Sequence, residues 1–317
     1  MVNRSYAILG TGAIGGYYGA RLQQAGCEVH FLLRSDYEWV KSQGLKVESV
    51  RGDVVLPQVK AYHDPAQMPP CDVVVIALKS TQNHLLPPWL PLLLKPQSSV
   101  LLLQNGLGFE AEIAAVVGDR PVIGGLCFIC ANKVGPGQVR HLDYEAIALA
   151  EYRADGTPAG ITAAMRAIAQ DFEQAGVEIR LRDDLVQTRW EKLAWNIPFN
   201  GLSVILNATT AEMMASAAIR ELATELMTEV AAGTASYGRP FSPEFIPQML
   251  AHTAQMRPYL TSMKLDYDAR RPLEVEGIFG APLQAAAARG VSLPRIETLY
   301  RQLQFLDGQN RGLGLTT

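Results

Sequence analysis

At 317 residues the chain exceeds the usual size of one domain, so two domains with separate cores are expected. Its composition is 48% hydrophobic and 19% charged with a net charge of −3, which argues against a nucleic-acid or anionic-membrane binder. No apolar run at the start is long enough for a signal peptide, so a cytoplasmic location is expected.

The stretch YAILGTGAIGGYYGARLQQAG (6–26) places Gly10, Gly12 and Gly15 directly after a short apolar strand and directly before a helical pattern. In that context the spacing predicts a dinucleotide-binding turn. Gly10 permits the tight bend, Gly12 lets the backbone approach a pyrophosphate, and Gly15 lets helix pack on strand. The whole loop, Gly10, Thr11, Gly12, Ala13, Ile14 and Gly15, is therefore a candidate cofactor site, with free N–H groups at the helix start holding phosphates. The second strand, CEVHFLLRSD (27–36), ends in Leu32, Leu33 and Arg34, where an NAD site would carry a carboxylate. A guanidinium can grip a 2′-phosphate with two parallel bonds, which favours NADPH. The counter-reading makes Arg34 a solvated loop residue and lets Asp36 touch the ribose.

Two continuous apolar runs, CDVVVIAL (71–78) and SSVLLLQ (98–104), read as buried parallel strands. Lys79 follows the first and Asn105-Gly106 the second, at strand ends where such sheets bind ligands. Between them LLPPWLPLLLKPQSSVLLLQ is broken by Pro87, Pro88, Pro91, Lys95 and Pro96, which predicts loop, short helix and strand in place of a membrane span. From 121 to 150 the chain reads as β-structure around the turn GPG (135–137), adding antiparallel strands. Cys127 and Cys130 form a CxxC inside the first of these strands, where alternation points them to opposite faces, so reduced thiols are expected. The five histidines are scattered, and no metal constellation is expected. A helix over 158–175 and the short strand VEIRL bring the chain to a boundary near 182.

Beyond 182 strand signals cease. RDDLVQTRWEKLAWNIPFNGLSVIL reads as a helix to about 206, beginning at a capping arrangement of Asp184 and Gln187. AEMMASAAIRELATELMTEVAAGTASYG reads as one long helix, and shorter helices are expected at 243–256, 276–288 and 295–306. The expected fold is thus α/β: an N-terminal Rossmann-type doubly wound sheet, residues 1–182, with an all-helical C-terminal domain, residues 183–317. Within the first long helix Lys192, Asn196 and Asn200 stand four apart among Leu193, Ala194, Trp195, Ile197 and Phe199. Residues so spaced share one face. A cation and two amides in a row on an apolar helix suit a cavity with something polar in it. Singly, a solvated lysine is the plainer reading.

The ordered set ILGTGAIGGYYGARL, Arg34, ALKSTQ, LLQNGLG, PGQVRH, WEKLAWNIPFN and TSMKLDYDARRPLEVEGIFG resembles the ketopantoate reductase (2-dehydropantoate 2-reductase) family over essentially the whole chain. The resemblance implies an NADPH-dependent reductase of a 2-oxo acid, ketopantoate being the best single guess. It implies that Lys192 is the general acid and that Glu274 faces the lysine and substrate. By the same resemblance Asn196, Asn200 and Ser262 bind substrate, while Lys79, Asn105 and Ala131 lie along the cofactor. A surface salt bridge from Glu274 to Arg270 or Arg271 is the competing reading of that carboxylate. Three departures bear on the pocket. Pro198 falls inside the catalytic helix, where a kink is expected. Thr210 stands where a further substrate-binding asparagine is common. Leu265-Asp266 and Glu274-Val275-Glu276 replace the familiar Gln-Asp and Glu-Ile-Asp. The alternatives are a paralogue acting on another small 2-oxo acid and a non-catalytic NADPH-binding sensor. The small-molecule substrate is the expected partner, with a homodimer suited to the apolar helices of the second half.

Overall fold

The computed structural model describes residues 4–312. The chain divides into two compact units, one running to Gln104 and resuming over Phe109–Leu185, the other formed by Asn105–Gly108 and the chain from Val186 onward.

The first unit is built on a ten-stranded sheet. Its strands are β1 (Ser5–Leu9), β2 (Glu28–Leu32), β3 (Leu45–Ser49), β4 (Val54–Leu56), β5 (Lys60–Tyr62), β6 (Cys71–Ile76), β7 (Leu94–Leu102), β8 (Val122–Gly135), β9 (Gln138–Glu151) and β10 (Ile179–Leu181). They lie in the order β4-β3-β9-β8-β7-β6-β1-β2-β5, with β10 beside β9. The strands from β5 through β2, β1, β6 and β7 to β8 are all parallel, whereas β8 and β9 form a long antiparallel hairpin. Alternation along a strand explains why these segments are apolar throughout. Tyr6 and Ile8 of β1 enter one core layer while Ala7 and Leu9 enter the layer on the other face. The first layer is closed by α1 (Ala13–Gln24) through Tyr17, Tyr18 and Leu22, with Val40 of α2 (Tyr37–Gln43) and Phe172 of α5 (Ala163–Gln174). The other is closed by α3 (Leu86–Leu93) and α4 (Phe109–Val117), which bury Leu86, Leu90, Ile113 and Val117. Helix α2 and strands β3 to β5 answer to no element predicted above. The direction of connection reverses at β1, between β2 and β6, and open α/β sheets bind nucleotides at such a switch point.

The second unit is helical: α6 (Leu185–Leu206), α7 (Thr210–Ala215), α8 (Ala217–Ala235), α9 (Phe245–Gln255), α10 (Ser262–Asp268), α11 (Ala281–Ala287) and α12 (Pro294–Asn310). Helix α6 places Trp190, Leu193, Ile197 and Phe199 in a core shared with Met227, Phe279 and Leu299. Gly233 of α8 makes room for the Trp190 ring: a Cβ there would lie 2.5 Å from two ring carbons. The single long helix expected after 210 is two helices, because Ser216 leaves the helical conformation and its hydroxyl accepts the Ile219 N–H as a cap. The expected helix over 276–288 opens as a π-helical turn, Glu276–Gly280, before α11. Helix α6 continues through the buried Pro198, which has no N–H to offer the carbonyl of Ala194. Among the described residues no helix is long and apolar enough to cross a membrane.

Candidate active site

In the sheet unit the glycine loop leaves β1 through Gly10, whose φ of +98° lies in the region glycine favours. A Cβ on Gly10 would sit 2.7 Å from the backbone nitrogen of Leu78, so the loop is pressed against the end of β6, one residue before Lys79. Gly15 is equally confined, 2.2 Å from the Gly10 oxygen by the same construction. Gly12 differs: nothing lies within 4 Å of where its Cβ would be. Gly12 is also the residue that caps α1, and the cap makes no side-chain hydrogen bond. The first intrahelical bond runs from Gly16 N–H to Gly12 O, so Ala13, Ile14 and Gly15 present N–H groups that the helix itself cannot satisfy. Open space before Gly12 and outward N–H groups behind it fit a pyrophosphate. The hydroxyl of Thr11 is buried and turned away from that space, donating to Leu32 O at 3.0 Å.

Arg34 is exposed just past β2, and its guanidinium donates to Gln82 Oε1 at 3.2 Å. Gln104, buried at the end of β7, donates to Leu78 O at 2.9 Å and to Asn83 Oδ1 at 2.6 Å. These bonds bracket the segment that carries Lys79, itself exposed. Asp36 is turned inward and does not face solvent: its Oδ2 accepts from Gly137 N–H at 3.0 Å and lies 2.6 Å from Lys133 Nζ. Ala131 is buried in the core layer that contains Tyr17 and Val139.

In the helical unit the residues of the polar row belong to one element. Asn196 and Asn200 are buried, at 3% and 1% exposure, and Lys192 is half-buried with its ammonium 5.8 Å from the centre of the Trp195 ring. Trp195 is anchored in turn, its indole N–H donating to Thr253 Oγ1 of α9 at 3.2 Å. Asn105 joins this unit: the Asn196 amide donates to Asn105 Oδ1 at 3.3 Å. Two residues further, Leu107 N–H donates to Gly277 O of the π-helical turn at 3.0 Å. Glu274 is buried immediately before that turn, while Arg271 is engaged with Asp266 at 2.8 Å. Ser262 begins α10, whose capping residue Thr261 is bonded to Ser203 Oγ at 2.7 Å, and Ser203 also donates to Asn200 O. Asn105, Asn196, Asn200, Glu274 and Ser262 are thus tied to α6 or to the turn behind it. Asn200 Oδ1 is buried with no hydrogen-bond partner among the described residues, which makes it an acceptor in want of a donor.

Thr210, the position of the expected asparagine, is fully buried and its hydroxyl bridges the backbone of Tyr259, donating to O at 3.4 Å and accepting from N–H at 3.3 Å. Sequence reasoning did not pick out Gln104, Thr261 or Thr253. Each is a polar residue at the end of an apolar or helical run, a pattern too common in folded chains to single out a site.

A family model described as Ketopantoate reductase PanE/ApbA matches residues 6–154, and its C-terminal companion, Ketopantoate reductase PanE/ApbA C terminal, matches residues 184–307. The chain is 58% identical over 316 residues to a 2-dehydropantoate 2-reductase of Nostoc sp. (strain PCC 7120), covering 100% of this chain and 99% of that one. Its structure is similar to that of 2-dehydropantoate 2-reductase from Geobacter metallireducens GS-15, with a TM-score of 0.91, 40% identity, and 95% and 99% of the two chains covered. The corresponding enzyme from Methylococcus capsulatus gives a TM-score of 0.86 at 30% identity, covering 96% and 97%.

Proposed function

The chain belongs to the ketopantoate reductase family, and from that premise we propose that it reduces 2-dehydropantoate (ketopantoate) to pantoate with NADPH, Lys192 supplying the proton. When bound, NADPH supplies the hydride that reaches the carbonyl carbon. Lys192, as an ammonium, hydrogen-bonds the carbonyl oxygen and passes it a proton as alkoxide charge develops, so the product leaves as a secondary alcohol. Glu274 is the counter-charge for that ammonium within the helical unit. Asn196 has its amide orientation set by Asn105, which leaves its own oxygen and a second N–H for substrate. Ser262 holds the carboxylate. Arg34 and Lys79 meet the phosphate end of the cofactor, and the inward turn of Asp36 supports NADPH over NADH.

The observation that carries ketopantoate in particular is the unpartnered, buried Oδ1 of Asn200. An acceptor of this kind asks for a hydroxyl, and ketopantoate ends in a hydroxymethyl group that many 2-oxo acids lack. A site built around such a bond rejects the analogue without it, because the buried acceptor is left unpaired. Steady-state NADPH oxidation should therefore favour ketopantoate over 3-methyl-2-oxobutanoate by about 10²-fold or more in kcat/KM. Equal rates on the two acids would refute the assignment.

A further inference from the structure

The turn GPG and the strand that follows it, QVRH, have no part in the mechanism above, yet the turn reaches the loop that carries Arg34. Gly137 sits in the turn between β8 and β9 with φ +61°. A Cβ there would lie 2.8 Å from Gly44 O and 3.0 Å from Val40 Cγ2, so the turn is wedged against the end of α2. Its carbonyl accepts from Lys46 N–H of β3 at 2.8 Å, and its N–H is thereby aimed at Asp36 Oδ2, 3.0 Å away. Lys133, four residues earlier on β8 and one-third exposed, brings its ammonium to the same oxygen at 2.6 Å. Asp36 is 7% exposed, while Arg34, two residues before it, is exposed.

We propose that this clamp of Gly137, Lys133 and Asp36 sets the preference for NADPH over NADH. A carboxylate past the end of the second strand is the group by which such sheets bind the ribose hydroxyls of NAD. The same carboxylate would repel a 2′-phosphate. Here the charge is drawn inward and paired, so that Arg34 is the charged group the 2′ position meets. Lys133 is a positioning residue in this scheme: it acts on Asp36, not on the nucleotide. The inference rests on the NADPH reading of the same site.

The test is direct binding of NADP⁺ and NAD⁺ by calorimetry, which needs no turnover, on the wild type and four variants. Lys133→Met releases the carboxylate, and the ratio of the two dissociation constants should move toward NAD⁺ by about tenfold or more, the scale of a like charge set against a phosphate. Lys133→Arg keeps the pair and should hold the wild-type ratio. Asp36→Asn keeps an acceptor for Gly137 and should also hold it. The double variant Asp36→Asn/Lys133→Met should restore the ratio that Lys133→Met lost. A double variant as impaired as Lys133→Met would mean that Lys133 itself binds the phosphate, and would overturn the clamp. So would a ratio that Lys133→Met leaves unchanged, including the case where both constants weaken together through general loosening. A wild-type preference for NAD⁺ would instead overturn the NADPH reading, and the clamp with it.

Discussion

Asn196 donates its side-chain amide to Asn105 Oδ1 across 3.3 Å, tying the loop that follows β7 to the helix that bears Lys192. Two amides bound in this way fix each other's orientation, so each one's remaining groups point in a defined direction. Removing Asn105 frees Asn196 to rotate, so part of the loss from removing Asn196 is already incurred. Asn105→Ala is expected to lower kcat/KM for the 2-oxo acid about 5- to 10-fold, the scale of one hydrogen bond of about 1 kcal/mol. The double variant Asn105→Ala/Asn196→Ala should fall short of the product of the two single losses, a deviation that a double-mutant cycle reads directly.

Lys192→Ala removes the proposed acid while leaving every element of the sheet unit untouched. Turnover is expected to drop by about 10²-fold or more, with NADP⁺ affinity unchanged in a direct titration. A variant that turned over normally would assign the proton to another group.

Thr210 spends its hydroxyl on the backbone of Tyr259, a short way before Ser262. Thr210→Val keeps the volume and loses both bonds, so the chain leading to α10 loosens. The expected result is a several-fold rise in KM for the 2-oxo acid with kcat little changed, and recovery in Thr210→Ser. A Thr210→Val enzyme with wild-type KM would show that the bridge has no bearing on Ser262.

Gly10 and Gly12 separate stability from binding. Gly10→Ala meets the Leu78 backbone at 2.7 Å and demands a positive φ, so the variant should be destabilised by about 2 kcal/mol or more and melt lower. Gly12→Ala has open space and an ordinary φ of −86°, so its melting temperature should stay put. Its methyl group projects into the space assigned to the pyrophosphate, and NADP⁺ binding should weaken sharply. Parallel melting curves and titrations would expose the reverse pattern.

Cys27 is half-buried, and burial, aided by the negative charge of Asp171, pushes its thiol up to about 11. Since the thiolate is the reactive form and its formation is disfavoured, only about one molecule in a thousand carries it at pH 8. Alkylation of Cys27 should be slow at neutral pH and accelerate about tenfold per pH unit up to pH 10. Rapid, pH-independent labelling of this residue, followed by peptide mass spectrometry, would contradict that environment.

The parallel strands were legible in the sequence because both faces are buried, which makes their runs continuously apolar: Val73 and Val75 enter one layer, Val74 and Ile76 the other. The Lys192 row was legible because a four-residue step on an otherwise apolar helix is unusual. What escaped depends on distant partners. Strand β3 has five residues, and it is a strand because Val47 pairs with Val139 and its neighbours with Gln138, Arg140 and His141 at the start of β9. Asp36 invited a ribose-binding reading until the N–H of Gly137, 101 residues away, accounted for it. The contact of Asn105 with Asn196 spans 91 residues and leaves no local trace. Ser216 broke a helix whose apolar period continues on both sides, since one hydroxyl capping Ile219 outweighs a propensity difference of a few tenths of a kcal/mol.

Four residues of α-helix advance about 6 Å along the axis. Helix α6 therefore spreads Lys192, Asn196 and Asn200 along one face over about 12 Å of axis, a spacing that any molecule read by all three side chains would have to meet. That spacing does not change by sliding the helix, because Trp190 is packed against Gly233 of α8. A change in which acids are accepted would then come from exchanging one of these side chains, with the scaffold left as it is.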